Sequence, residues 1–238
     1  TAQNADDALA ARTSHPAWIV RALRDALRTE GREEELEELL EADNTSPRVS
    51  LALLAGSGIG TDELAAAFGD VLDDTGESAL GLEMLGGDPG KAIAEAEDTA
   101  GVPEGLLRVQ DQGSQLAALA LVRATPIDPG EKWLDLCAGP GGKSAVLGAE
   151  AILDGATLRA NEVSEHRAKL VRDSIKGVAQ LPGAEGVVRV VSHDGREDEA
   201  YGCGVAEHQL YDRILVDAPC SGLGALRRRP EARWRKQP

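Results

Sequence analysis

Four acids occupy the positions where chemistry is expected. Each closes a short apolar run: Asp135 in WLDLCAGPGGKS (Trp133–Ser144), Glu162 after ATLRAN, Asp194 in SHDG and Asp217 in DAPCSG. In an open parallel sheet, ligands bind outside the carboxyl ends of the strands. Glu162 lies twenty residues past Gly142, where an acid accepts hydrogen bonds from ribose hydroxyls. Asp194 is placed for an adenine amino group. One such acid would read as a helix or turn cap; four in register favour an adenosine-type ligand. The turn Gly139-Pro140-Gly141-Gly142 lets backbone approach that ligand where a Cβ would clash. It is not a phosphate loop, because Cys137 stands where that motif needs glycine. It is not a dinucleotide fingerprint either, because Ser144 stands where glycine or alanine is required. A nucleoside fits better than a triphosphate or NAD.

Cys220 is the fifth candidate. It follows a strand end, between Pro219 and Ser221-Gly222, and a thiolate there is a strong nucleophile once a cation or helix terminus lowers its pKa. Cys137 and Cys203 lack that context and read as small buried residues. His193 and His208 have no metal-ligand spacing and read as surface or loop residues.

Positioning these groups requires alternating strands and helices. The pattern predicts a strand from Trp133, a helix over Lys143–Leu153 and a strand over Ala156–Val163. A helix over Ser164–Val178 follows, with Glu165 and Lys169 paired four residues apart. Strands at Val187–Ser192 and Tyr211–Asp217 complete an α/β, doubly wound parallel sheet. Leu106–Val122 reads as a bridge with Ser114 capping its helix. Upstream, helices are expected over His15–Gly31, Arg32–Glu41, Thr61–Phe68 and Pro89–Glu97. Strands are expected at Arg48–Leu54 and Ala79–Leu85, with turns at Asn44–Pro47 and Asp73–Gly76. This upstream part is a small α/β or α+β module over residues 1–105, ahead of a second domain over 106–238.

The 238 residues carry 25 Lys+Arg against 41 Asp+Glu, a net charge of −16. Residues 1–105 hold 7 basic and 23 acidic residues, whereas residues 106–238 hold 18 of each. The acidic surplus argues against non-specific nucleic-acid binding by the first part. Arg227–Lys236 is the opposite, with six basic residues and only Glu231 against them. Three cysteines, an odd number without a C-x-x-C, point to a reduced compartment. No apolar run reaches the length of a membrane span and no leader is visible. The single Met is Met84, so the native start is expected upstream of Thr1.

DLCAGPGGK with DAPCSG and then LRRRPEARW resembles the Sun family of S-adenosylmethionine-dependent RNA cytosine-C5 methyltransferases. The bacterial ribosomal RNA small subunit methyltransferase B group is the nearest fit, and the likeness extends upstream through VQDQGSQL to SHPAWIV. The resemblance implies a Rossmann-like methyltransferase sheet preceded by a small RNA-binding module. It implies that Cys137, Ala138, Gly139, Pro140, Gly141, Gly142 and Lys143 wrap the methionine part of S-adenosylmethionine. Glu162, more often Asp in the family, would hold the ribose and Asp194 the adenine. Asp217 would lie near the methyl donor and the target base, and Cys220 would assist product release.

The family's nucleophile is another cysteine, in a Thr-Cys pair after the next strand. That pair is absent from these residues, so the nucleophile and the rest of a seven-stranded sheet are expected downstream. Arg227, Arg228, Arg229 and Arg233 are expected to meet RNA phosphate. Leu51-Ala52-Leu53 replaces the family's Arg-containing strand, which leaves RNA contact by the first module open. The implied protein is a cytoplasmic monomer acting on RNA, ribosomal RNA first, without metal or membrane. Two alternatives stay open: Cys220 as the nucleophile itself, and a non-catalytic RNA-binding or assembly protein on a degenerate methyltransferase fold.

Overall fold

The computed structural model describes residues 2–74, 76–197 and 210–235; Thr75, Cys203, His208 and Lys236 lie outside them. In chain order the helices are α1 (Ala2–Thr13), α2 (Ala17–Thr29), α3 (Leu36–Ala42), α4 (Thr61–Ala67), α5 (Pro89–Thr99), α6 (Gln112–Val122), α7 (Gly142–Asp154), α8 (Glu165–Ser174) and α9 (Ala232–Arg235). The strands are β1 (Ser50–Leu53), β2 (Leu72–Asp73), β3 (Gly81–Met84), β4 (Leu107–Val109), β5 (Lys132–Asp135), β6 (Thr157–Asn161), β7 (Val188–Val191) and β8 (Arg213–Leu215). Two compact units result: the chain up to Pro47 together with the segment from Pro219, and Arg48–Ala218.

The first unit is helical. α2 presents Val20, Leu23 and Leu27 to Leu9 and Ala10 of α1 and to Leu36 and Leu40 of α3. α1 was not expected, because few large apolar residues mark it. It is fixed instead by Leu9, Ala10 and an ion pair from Asp6 to Arg24 at 2.6 Å. The segment after Pro219 closes on this unit. Arg233 is buried and donates to Asn44 Oδ1 at 2.6 Å and to the Asp43 carbonyl at 2.5 Å. Arg227 donates to the Thr45 carbonyl at 3.0 Å.

The second unit carries two sheets. An antiparallel sheet of order β2-β3-β1-β4 pairs Leu51 with Leu82 and with Val109. Its last strand lies beyond the expected boundary at residue 105. The other sheet, of order β7-β6-β5-β8, is parallel throughout and bears out the expected α/β class. Trp133 pairs with Leu158 on one side and Arg213 on the other. One apolar core serves both sheets, joining Leu51, Leu82 and Leu107 to Ala118, Trp133, Leu147 and Leu158.

Three local expectations are corrected. Asp111, not Ser114, caps α6: its carboxylate accepts from Ser114 N at 3.2 Å. α8 stops at Ser174 rather than Val178, since the Arg108 guanidinium takes the Ser174 carbonyl at 2.7 Å and ends the helix as a C-terminal cation does. Glu165 pairs with Arg172 at 2.7 Å instead of Lys169, because the longer arginine reaches back two turns along the same face.

Candidate functional site

The parallel sheet brings Asp135, Glu162, Asp194 and Asp217 to its carboxyl edge, as their spacing suggested. β5 ends in Asp135, and the chain then turns tightly, Gly141 N donating to the Ala138 carbonyl at 2.7 Å. Gly141 has φ +109° and is the N-cap of α7, so the helix begins without a side-chain cap. At Gly139 a Cβ would overlap the Glu162 carboxylate and crowd Arg167 Nη2 at 2.9 Å. Only backbone fits between them.

Glu162 is buried at 3% exposure. Its two oxygens accept from Gly139 N and Ser164 N, each at 3.1 Å. Arg167, which sequence reading missed, stands 3.4 Å from that carboxylate and donates to the Gly139 carbonyl at 2.8 Å. The acid and the turn are therefore held as one piece. Asn161 was missed as well. Its Nδ2 donates to the carbonyls of Leu136 (3.0 Å) and His193 (3.2 Å), and its Oδ1 accepts from His193 N at 3.1 Å. One amide thus fastens the ends of three strands, and an alternating strand pattern carries no signal for it.

Asp194 is gripped by Arg196, whose Nε and Nη2 donate to its two oxygens at 2.9 and 2.5 Å. That guanidinium holds the Asp194 carboxyl at about 2. Lys143 donates to Asp217 Oδ2 at 2.7 Å and to Ser114 Oγ at 3.3 Å, joining α7, β8's exit and α6. Cys137 is half-buried, and burial followed by the nearby Asp135, Glu162 and Asp217 charges pushes its thiol up. It stays a thiol, in keeping with its reading as a small structural residue. Cys220 is exposed and belongs to the helical unit. Arg228 and Arg229 are exposed, whereas Arg233 is buried and its guanidinium donates to Asn44 and Asp43.

Asp135 is the most perturbed acid of the site. It is 1% exposed, with Oδ2 accepting from Ser144 Oγ at 2.6 Å and Oδ1 unpartnered. Burial, opposed by the Ser144 bond and Lys143 and reinforced by Asp217, raises it to about 6 from 3.8. The native state then binds this proton more tightly than the unfolded chain, so stability falls as pH rises from about 4 through 6. At 1.36 kcal/mol per unit the loss is roughly 3 kcal/mol. Denaturant titrations of parent and Asp135→Asn should therefore diverge by about that amount between pH 4 and 7. Parallel curves would show that Asp135 ionises normally.

Among the described residues no group of three or more His, Cys, Asp or Glu could hold a metal ion, and no helix is long and apolar enough to cross a membrane.

A parallel four-stranded sheet, a glycine turn into an uncapped helix and acids along the carboxyl edge define a Rossmann-like α/β fold with a nucleoside-type site. Residues 124–238 match the family described as 16S rRNA methyltransferase RsmB/F. A Mycobacterium tuberculosis protein named "Putative methyltransferase Rv1407" is 43% identical over 226 residues, which cover 94% of this chain and 43% of that one. The "Probable ribosomal RNA small subunit methyltransferase B" of Bacillus subtilis is 31% identical over 237 residues, 97% of this chain and 46% of the relative. The chain thus spans less than half the length of these relatives. The solved structure titled "Crystal Structure of PH0851" shares the fold, with a TM-score of 0.74 at 22% identity over 98% of this chain and 47% of that one. The cofactor of the domain is S-adenosylmethionine, and the residues present suit it: a tight glycine turn packed against a buried acid and leading into a helix start with no side-chain cap.

Proposed function

We propose that the whole protein methylates C5 of a cytosine in ribosomal RNA, as a monomer in the cytoplasm. The observation that carries this reading is the Lys143–Asp217 pair, which ties the residue after the glycine turn to the exit of β8. It lies within the segment that matches the RsmB/F family. S-adenosylmethionine supplies an electrophilic methyl group on a sulfonium. Glu162 receives the ribose hydroxyls and Gly139–Lys143 wrap the amino-acid part, with Asp194 toward the adenine. Asp217, oriented by Lys143, stands beside the target base.

Cytosine C5 is a poor nucleophile, so a thiolate adds to C6 and the electron pair delivered to C5 takes the methyl. Removal of the C5 proton then expels the thiolate. Cys220 assists that expulsion, in the role its motif has in the resembling family. The segment from Arg227 to Arg229 meets phosphate, residues 1–105 serve as an RNA-binding-type module, and residues 106–238 form the methyltransferase domain.

The test is Cys220→Ser in the whole protein, incubated with ribosomal RNA and cofactor. The variant should accumulate a covalent protein–RNA complex, seen as a slow band in denaturing gels, at several-fold the parent's level. Loss of the adduct with cofactor binding intact would make Cys220 the attacking thiol. No adduct or methyl transfer from either form would leave a binding protein on a methyltransferase fold.

A further inference from the structure

The segment VQDQGSQ places three glutamines around the start of α6, and they have different fates. Gln112 is fully engaged: its Oε1 accepts from Glu77 N at 2.7 Å and its Nε2 donates to Glu83 at 3.0 Å. Gln115 spends its Nε2 on the Leu51 carbonyl at 3.1 Å and on the Gln110 carbonyl at 2.8 Å, which fixes the backbone of Gln110. The side chain of Gln110 is only 7% exposed, yet neither its Nε2 nor its Oε1 has a hydrogen-bond partner. A buried carboxamide with both ends unpaired is costly, because each group gives up its hydrogen bonds to water and gains none in return.

Its position gives that cost a purpose. The carboxamide lies over Gly142, 3.6 Å from where a Cβ would stand, at the first residue of α7. α7 is thirteen residues long and has no side-chain cap, because its N-cap is Gly141. The neighbouring α6 start is capped by its own Asp111. An uncapped helix start exposes free N–H groups and a partial positive charge that suit a carboxylate. The glycine turn therefore runs from a buried acid at Gly139 to an amide donor at Gly142.

We propose that Gln110 is a cofactor-binding residue, its Nε2 donating to the carboxylate of the amino-acid end of S-adenosylmethionine at the start of α7. The inference rests on the cofactor reading above, and it makes the antiparallel sheet a contributor to the site through the residue that follows β4. Arg108, two residues earlier, reaches the same region through Ser174 Oγ, and Ser174 abuts Gly141.

Two ligands that differ only in the amino-acid end provide the test: S-adenosylhomocysteine and 5′-methylthioadenosine, titrated calorimetrically against the 238-residue chain. Gln110→Met, which keeps the volume, should weaken S-adenosylhomocysteine about tenfold and leave 5′-methylthioadenosine unchanged. Gln110→Glu, which sets a carboxylate against a carboxylate, should weaken the first ligand further and again spare the second. Equal losses for both ligands would make Gln110 a packing residue and overturn the assignment, as would no loss in either variant. A parent chain that binds neither ligand would instead remove the cofactor reading, and this inference with it.

Discussion

Arg213→Ala should lower the melting temperature of the chain by about 10 °C, corresponding to roughly 3–5 kcal/mol, the usual consequence of removing one member of a buried ion pair. Arg213 is 5% exposed and opens β8. Its Nε donates to Glu131 at 2.6 Å, and its two terminal nitrogens donate to the carbonyls of Leu121, Val122, Thr125 and Pro126 at 2.8–3.0 Å. The guanidinium carbon stands 5.5 Å from the centre of the Trp133 ring, and Trp133 donates to the same Glu131 oxygen as Arg213 Nε. Removal strands the last carbonyls of α6 and leaves Glu131, whose carboxyl Arg213 holds at about 2, without its counter-charge. Arg213→Lys keeps the charge but loses the fork that serves these acceptors, so it should fall between parent and Arg213→Ala. Because β8 leads to Asp217, the Ala variant should also lose S-adenosylmethionine affinity as it loses stability. A melting temperature within two degrees of the parent would mean that these bonds contribute little.

Arg213 also marks where sequence reading stops. Periodicity and turn residues locate β5 through β8 and the helices between them, because burial on both faces of a parallel sheet leaves continuous apolar runs. The acids at the strand ends were legible for the same reason: once the strands are placed, their carboxyl ends are placed. What the pattern could not show were partners distant in sequence. Arg213 in a strand of three reads as an exposed charge until Glu131 and the end of α6 close over it. Asn161 reads as a strand residue until Leu136 and His193 come within reach. Arg233 sits in a cluster of exposed arginines, and nothing local separates it from Arg229; its enclosure depends on Asn44, almost two hundred residues away. The same holds for α1, whose short polar stretch becomes a helix against α2 and α3. Strands and their ends were legible, and polar partners were not, the α6 cap and the Glu165 pair included.

The second large effect is at Gly141. Its φ of +109° is a conformation that an alanine adopts only under strain, and an added Cβ would stand 2.6 Å from Ser174 Cβ and 2.9 Å from Val171 Cα. The second neighbour is helix backbone, which cannot swing aside as a side chain tip can. Gly141→Ala must therefore move the turn or push α8 away, and either motion displaces the N–H groups at the start of α7. A left-handed alanine alone costs about 1–2 kcal/mol, and the collision adds to it. We expect S-adenosylhomocysteine affinity to fall at least a hundredfold, with a measurable loss of stability.

Gly142→Ala is the matched control. Its Cβ would meet nothing closer than Gln110 at 3.6 Å, an ordinary contact, and Gly142 is already helical. Alanine should then stabilise α7 by up to about 1 kcal/mol, while its methyl group fills space beside the start of the helix and weakens the same ligand. Stability and affinity thus move together at Gly141 and in opposite directions at Gly142. Parent-like affinity in both variants would show that the ligand does not sit on this turn.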